Sequence, residues 1–133
     1  MAKISVIIPT WNRAHIIEKA IQSVLSQTVP VSEILVCDDG STDNTLELIH
    51  SLTATHPNIR WIPGKRGGRP AIPRNRGIKA AGGDWLAFLD SDDYWLPHKL
   101  EEQLNLLTDR NLRAVCSNAF RYLPGEGITT NLL

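Results

Sequence analysis

The sequence predicts an α/β domain, with a mainly parallel sheet flanked by helices. Short apolar, β-branched runs such as ISVIIP and EILVCD alternate with segments of helical periodicity, the order that builds parallel sheets through crossover helices. Those runs are continuously apolar, as in strands covered on both faces. A chain of 133 residues, 42% hydrophobic and 21% charged, suits one globular domain with a real core.

Ile4–Pro9 is the first strand. Ile16, Ile17, Ala20, Ile21, Val24 and Leu25 recur at helical spacing, which predicts an amphipathic helix over Ala14–Ser26 that ends before Pro30. Glu33–Asp38 is the second strand. DGSTDN then signals a turn and a helix start, with Asn44 and Glu47 spaced as in a capping box; Leu46, Ile49 and Leu52 carry that helix to about Thr53. Ile59–Ile62 is a third strand nearer an edge, closed by Pro63. Pro63–Arg74, rich in Gly, Pro and Arg, is a long loop of the kind that carries function. NRGIKAAGG is a short helix stopped by Gly82 and Gly83. Asp84–Leu89 is a fourth strand. Pro97 opens a helix with Leu100, Leu104 and Leu107 on one face. Ala114–Ser117 is a short fifth strand, and the tail YLPGEGITTNLL shows no clear periodicity.

Several function classes are excluded early. Fourteen basic and fourteen acidic residues give zero net charge, which removes the electrostatic basis for nucleic acid as a partner. No apolar run approaches the roughly 20 residues that span a bilayer, and no signal-peptide cleavage pattern follows the start. Cys37 and Cys116 both sit in apolar runs. They read as two buried thiols in a cytoplasmic setting, not as a disulfide framework. His15, His50, His56 and His98 show no metal-ligand spacing.

What remains is acidic and basic clusters at the expected carboxyl ends of strands, where open parallel sheets bind ligands. In WLAFLDSDD, five apolar residues run into three carboxylates within four positions. On an extended segment Asp90 and Asp92 point the same way, and two hard oxygen donors on one spot suit Mg²⁺ or Mn²⁺. The same aspartates could instead cap the following helix. Asp38 and Asp39, before Gly40, form either a simple turn or an acceptor for a nucleobase N–H. Arg66, Arg69, Arg74 and Arg76 are either phosphate ligands or a solvated basic face.

Four stretches in order, SVIIPTWNR, ILVCDDGSTDNT, RNRGIKAAGGDWLAFLDSDD and WLPHKLEEQL, resemble the family 2 glycosyltransferases of the GT-A fold. The likeness runs through about Asn118. It implies a Rossmann-like nucleotide-binding half and a nucleotide-diphosphate-sugar donor carrying UDP, GDP or dTDP. By the resemblance, Thr10 and Trp11 line the base pocket, Asp39 bonds the base, and Asp38 lies nearer the ribose or the turn. Arg74 and Asn75 shape the donor site. Asp90 and Asp92 form the Asp-x-Asp motif for Mn²⁺ or Mg²⁺, with Asp92 the principal ligand and Asp90 also placed at the nucleotide.

The family's catalytic half, with its acceptor site and general base, follows that motif by several dozen residues. Here about forty remain, and Glu126 in GEG is the last carboxylate. The expectation is therefore a donor-binding domain over residues 1–118, with 119–133 a tail or the start of an acceptor half, in a truncated or naturally short chain. Catalytic residue and acceptor stay unassigned. Transfer is expected to be inverting and metal-dependent. The alternative is a nucleotide-binding module that catalyses nothing. Apolar surface left uncovered would favour self-association, and a longer parent could sit peripherally at a membrane. A phosphoryl-accepting signalling domain would need an acidic pair after the first strand, where Pro9, Thr10 and Trp11 stand. A dinucleotide oxidoreductase would need G-x-G-x-x-G there.

Overall fold

The computed structural model describes residues 2–125 and 127–131, with 128–131 described by backbone alone. The elements run β1 (Ile4–Thr10), α1 (Ile17–Leu25), β2 (Glu33–Asp38), α2 (Thr45–Thr53), β3 (Ile59–Ile62), α3 (Ala71–Ala80), β4 (Trp85–Phe88), α4 (Lys99–Asp109), β5 (Phe120–Leu123) and β6 (Gly127–Asn131). The first four strands form one parallel sheet in the order β3-β2-β1-β4. β1 is central and buried along its whole length, which is why its sequence is apolar without alternation. On one face, Ile4, Val6 and Ile8 join Ile34 and Val36 against Ile17, Ile21, Ile49 and Leu100 from the helices. On the other, Ile7, Leu35 and Cys37 form a smaller cluster beneath α3, whose contacts are with β1 and β2.

Gly77 lets α3 come this close. A Cβ at that position would stand 2.6 Å from Cys37 Sγ and 2.9 Å from Ile7 Cγ2. At Gly77 the smaller cluster thus meets helix backbone, with Ala80 and Ala81 packed beside it.

Five expectations need correction. The first helix begins at Ile17, not Ala14, because the segment before it is tied to the turn after β2: the Ala14 N–H donates to Asp43 Oδ2 and the Asn12 N–H to Ser41 Oγ. Asn44 makes no capping bond. Asp43 Oδ1 instead accepts from the Thr45 amide at 3.0 Å and from its hydroxyl. α3 starts at Ala71, so Arg74 lies on a helix and not in the loop; Pro73 is tolerated because the first helical turn has no intrahelical N–H bonds to lose. Ala114–Ser117 forms no strand. Among the described residues the main sheet has four strands, and β5 pairs antiparallel with β6 in a separate hairpin. Gly125 (φ 84°) and Gly127 (φ 75°) supply the left-handed backbone of that turn. Cys116 is correspondingly exposed, against the expectation of two buried thiols, whereas Cys37 is buried, and both are free thiols. No helix among the described residues is long and apolar enough to cross a membrane.

Candidate functional site

A cleft of about 310 Å³ opens at the carboxyl ends of β1, β2 and β4, with Thr10, Trp11, Asp39, Arg74, Asp90 and Asp92 among its lining. Parallel strands end together here, so residues 80 positions apart in sequence become neighbours.

The end of the cleft near β1 and β2 is rigidly built. Asp38 turns away from it: Oδ2 accepts from the Gly40 amide at 3.0 Å and the Ser41 amide at 2.9 Å, and Oδ1 accepts from the Ser41 hydroxyl. It holds the turn, with Gly40 at φ 81°. Asn12, at φ 50°, accepts at Oδ1 from the Thr42 amide at 2.7 Å and the Asp43 amide at 3.2 Å. The segment bearing Trp11 is thereby lashed to that turn.

Asp39 faces the cleft and is 3% exposed. Oδ1 accepts from the Gly67 amide at 2.7 Å, and Oδ2 from the Gly68 amide at 3.0 Å and from Arg66 Nη1 at 2.7 Å. Burial opposes its charge, but the two amides and the guanidinium outweigh that, and its pKa lies below the ordinary carboxylate value. Arg66 also stacks on Trp11, its guanidinium carbon 3.8 Å from the ring centroid.

The other end is acidic. The Asp93 N–H donates to Asp90 O at 3.1 Å, closing a turn directly after β4. The segment is not extended, as the sequence argument assumed. The turn brings Asp90 and Asp92 together and adds Asp93: one carboxylate oxygen from each lies within 4.8 Å of the others, and all three residues are exposed. Partial burial first, then the neighbouring charges of Asp92 and Asp90, raise the Asp93 pKa. Arg74 Nη2 donates to Asp90 Oδ1 across the cleft.

Behind this turn, Gln27 donates to Ser23 O and to Leu96 O at 2.7 Å, and accepts from the Leu100 amide at 3.0 Å. The Ser23 hydroxyl accepts from the Trp95 amide. These bonds dock the stretch after the acidic turn onto α1. Beyond it lies a larger open groove of about 1810 Å³, bounded by α1, the acidic turn and α4.

The Glycosyl transferase family 2 model matches residues 5–132. The chain belongs to glycosyl transferase family 2. It is 38% identical over 115 residues to the UDP-Glc:alpha-D-GlcNAc-diphosphoundecaprenol beta-1,3-glucosyltransferase WfgD of Escherichia coli, covering 86% of this chain and 45% of that enzyme. It is 37% identical over 129 residues to the chondroitin synthase of Pasteurella multocida, covering 96% and 13%. The chain thus spans less than half the length of either relative. Among solved structures, S. aureus TarS 1-349 in complex with UDP-GlcNAc superposes with a TM-score of 0.77 at 28% identity, covering 96% of this chain and 37% of that one. The mannosyltransferase PcManGT of Pyrobaculum calidifontis, in complex with GDP-Man and Mn²⁺, gives 0.73 at 28% identity, covering 81% and 33%. The α/β architecture and the family expected from the sequence both stand.

Of the family 2 residues expected at the site, Thr10, Trp11, Asp39, Arg74, Asp90 and Asp92 meet at one cleft. Asp38 serves the turn. Asn75 is exposed on α3 and is not among the cleft's lining residues. Arg66 and Arg69 reach the cleft, whereas Arg76 braces it from behind, donating to Asp38 O at 2.6 Å. Sequence reasoning missed the supporting residues Asn12, Ser41, Asp43 and Gln27. The polar run STD after Gly40 was their visible signal; nothing local marked Gln27. Glu126 lies outside the described residues.

Proposed function

We propose that this chain is the donor-binding part of a glycosyltransferase that transfers a sugar from a nucleoside-diphosphate sugar to an acceptor hydroxyl. The observation that carries the reading is the two-ended cleft: an aromatic face and a buried carboxylate at one end, an arginine and a carboxylate cluster at the other. A nucleotide sugar has the matching parts in the same order. The base stacks on Trp11 and donates an N–H to Asp39, and Thr10 lies beside it. The diphosphate lies toward Arg69 and Arg74, whose guanidinium groups offer paired N–H donors to phosphate oxygens. The sugar then faces the larger groove, the open side from which an acceptor reaches it.

Three exposed carboxylates converging within 4.8 Å are hard oxygen donors that fit Mg²⁺ or Mn²⁺. Asp90 and Asp92 would hold the cation, with Asp93 the third group in reach. Bound there, a divalent cation supplies neutralisation of the charge that develops on the leaving diphosphate. Support for UDP or GDP as the donor's nucleotide comes from the TarS and PcManGT complexes; dTDP offers the same N–H to Asp39. We assign residues 1–118 to donor binding and the hairpin beyond them to the acceptor side. The inverting general base is not assigned to any described residue.

Calorimetric titration with UDP, GDP and dTDP, each with and without Mn²⁺, tests the reading. Saturable binding of one nucleotide, strengthened by Mn²⁺, is the expected result. Absence of binding by all of them would overturn it.

A further inference from the structure

Arg66 lies where the donor-site reading puts the nucleobase. Its guanidinium stacks over Trp11 with its carbon 3.8 Å from the ring centroid, and its Nη1 donates to Asp39 Oδ2 at 2.7 Å. A guanidinium shares with a nucleobase the features this pocket engages: a planar, delocalised face and an edge N–H. It lacks another. Thr10 Oγ1, in a residue 3% exposed that lines the same cleft, is buried with no hydrogen-bond partner. Arginine carries donors only and cannot take that hydroxyl's proton, whereas a base carbonyl can.

We propose that Arg66 is an internal stand-in for the nucleobase, filling the base subsite in the free chain and swinging out when a nucleotide enters. The inference rests on the donor-site reading. The exchange replaces one N–H donor on Asp39 Oδ2 by another and one plane on Trp11 by another. Only the side chain needs to move. The Gly67 and Gly68 amides hold Asp39 independently of it. Gly40 approaches the loop so closely that a Cβ there would stand 2.7 Å from the Arg66 amide nitrogen, which pins the backbone. The Arg66 side chain is 47% exposed, so its way into solvent is open.

A closed subsite lowers apparent affinity by the fraction of chains that are open. Solvent screening of this half-exposed pair limits the closed fraction, and a chain closed nine times in ten would bind about tenfold more weakly than an open one.

The test is calorimetric titration of UDP, GDP and dTDP with Mg²⁺ into wild type and R66A. It is paired with the NMR shift of the Arg66 Nε–H in wild type and W11A. The expected result is that R66A binds about three- to tenfold more tightly. The Arg66 resonance, displaced by the Trp11 ring in the free chain, should return to its solvated position at nucleotide saturation and in W11A without nucleotide. Weaker binding by R66A would make Arg66 a ligand contact and overturn the proposal, as would unchanged affinity or an undisplaced resonance. If neither protein binds any nucleotide, the donor-site reading itself fails and the stand-in falls with it. That pattern is distinct from an effect of R66A alone.

Discussion

Replacing Gly77 by Ala tests whether the site is set by how closely α3 lies on the sheet. The new methyl would stand 2.6 Å from Cys37 Sγ and 2.9 Å from Ile7 Cγ2, and both residues are fully buried. Comfortable non-bonded contacts need about 3.5–4.0 Å. The helix therefore lifts by roughly 1 Å, or the two side chains leave their rotamers. Overpacking of this kind costs about 1–3 kcal/mol. Alanine's better helix propensity returns about 1 kcal/mol, leaving a net loss of about 0–2 kcal/mol. The same shift carries Arg74 away from Asp90 and Arg76 away from Asp38 O, so nucleotide affinity falls as well. Urea unfolding of G77A, C37A and the double variant reads the first effect. Because Cys37 is the nearest obstacle, the double variant should be more stable than the sum of the singles by about 1 kcal/mol. A G77A protein more stable than wild type, or strict additivity with C37A, would show that Gly77 does not set the approach of α3.

The remaining predictions concern the ends of the cleft and its support. Asp92→Ala should remove the Mn²⁺-dependent part of nucleotide binding, while Asp39→Ala weakens binding with or without metal; calorimetry separates the two, and identical titrations for both variants and wild type would count against the assignment. Asp39 has a folded pKa below its ordinary 3.8. The stability its charge contributes is present above about that value and is lost as pH falls through the folded pKa. A plot of Tm against pH should therefore fall less steeply on the acid side for D39N than for wild type. Gln27→Ala leaves the Leu100 N–H and Leu96 carbonyl without their side-chain partner. It should cost about 1–3 kcal/mol in urea unfolding and speed hydrogen exchange at the Leu100 amide.

The positions of β1 and β2 were legible because burial on both faces writes itself as uninterrupted apolarity, as in ISVIIP and EILVCD. Once the strands are placed, topology gathers Thr10, Asp39 and Asp90 at one edge without further information. Legibility stopped where a side chain chooses between neighbours. Asp38 and Asp39 are adjacent carboxylates at a strand end, and only the three-dimensional turn decides that one binds its own loop and the other faces the cleft. Ala114–Ser117 failed as a strand for a related reason. Its apolar run is short, and local sequence does not say whether β4 has an available edge. Gly125 and Gly127 did mark a turn, but the stretch around them lacks the alternation that would have announced a hairpin.

The two ends of the cleft differ in how firmly they are held. Near Trp11 and Asp39, most restraints are bonds to backbone amides from side chains that are partly or fully buried, and these persist when a solvated side chain moves. At the acidic end, Arg74 and Asp90 are 34% and 50% exposed at the side chain, and an ion pair so placed is worth little in water. Arg74 can therefore release Asp90 at small cost and turn to a phosphate. Asp90, freed, stands uncompensated beside Asp92 and Asp93; burial and then the charges of Asp92 and Asp90 already raise the Asp93 pKa, and the added repulsion strengthens the demand for a cation. Phosphate and cation thus favour each other's arrival, so nucleotide diphosphate and Mn²⁺ should bind with positive coupling. Titrating Mn²⁺ in the presence and absence of the nucleotide measures that coupling, and Arg74→Ala should reduce it while leaving the affinity for Mn²⁺ alone unchanged or higher. Independent binding of metal and nucleotide would show that Arg74 and Asp90 do not exchange partners.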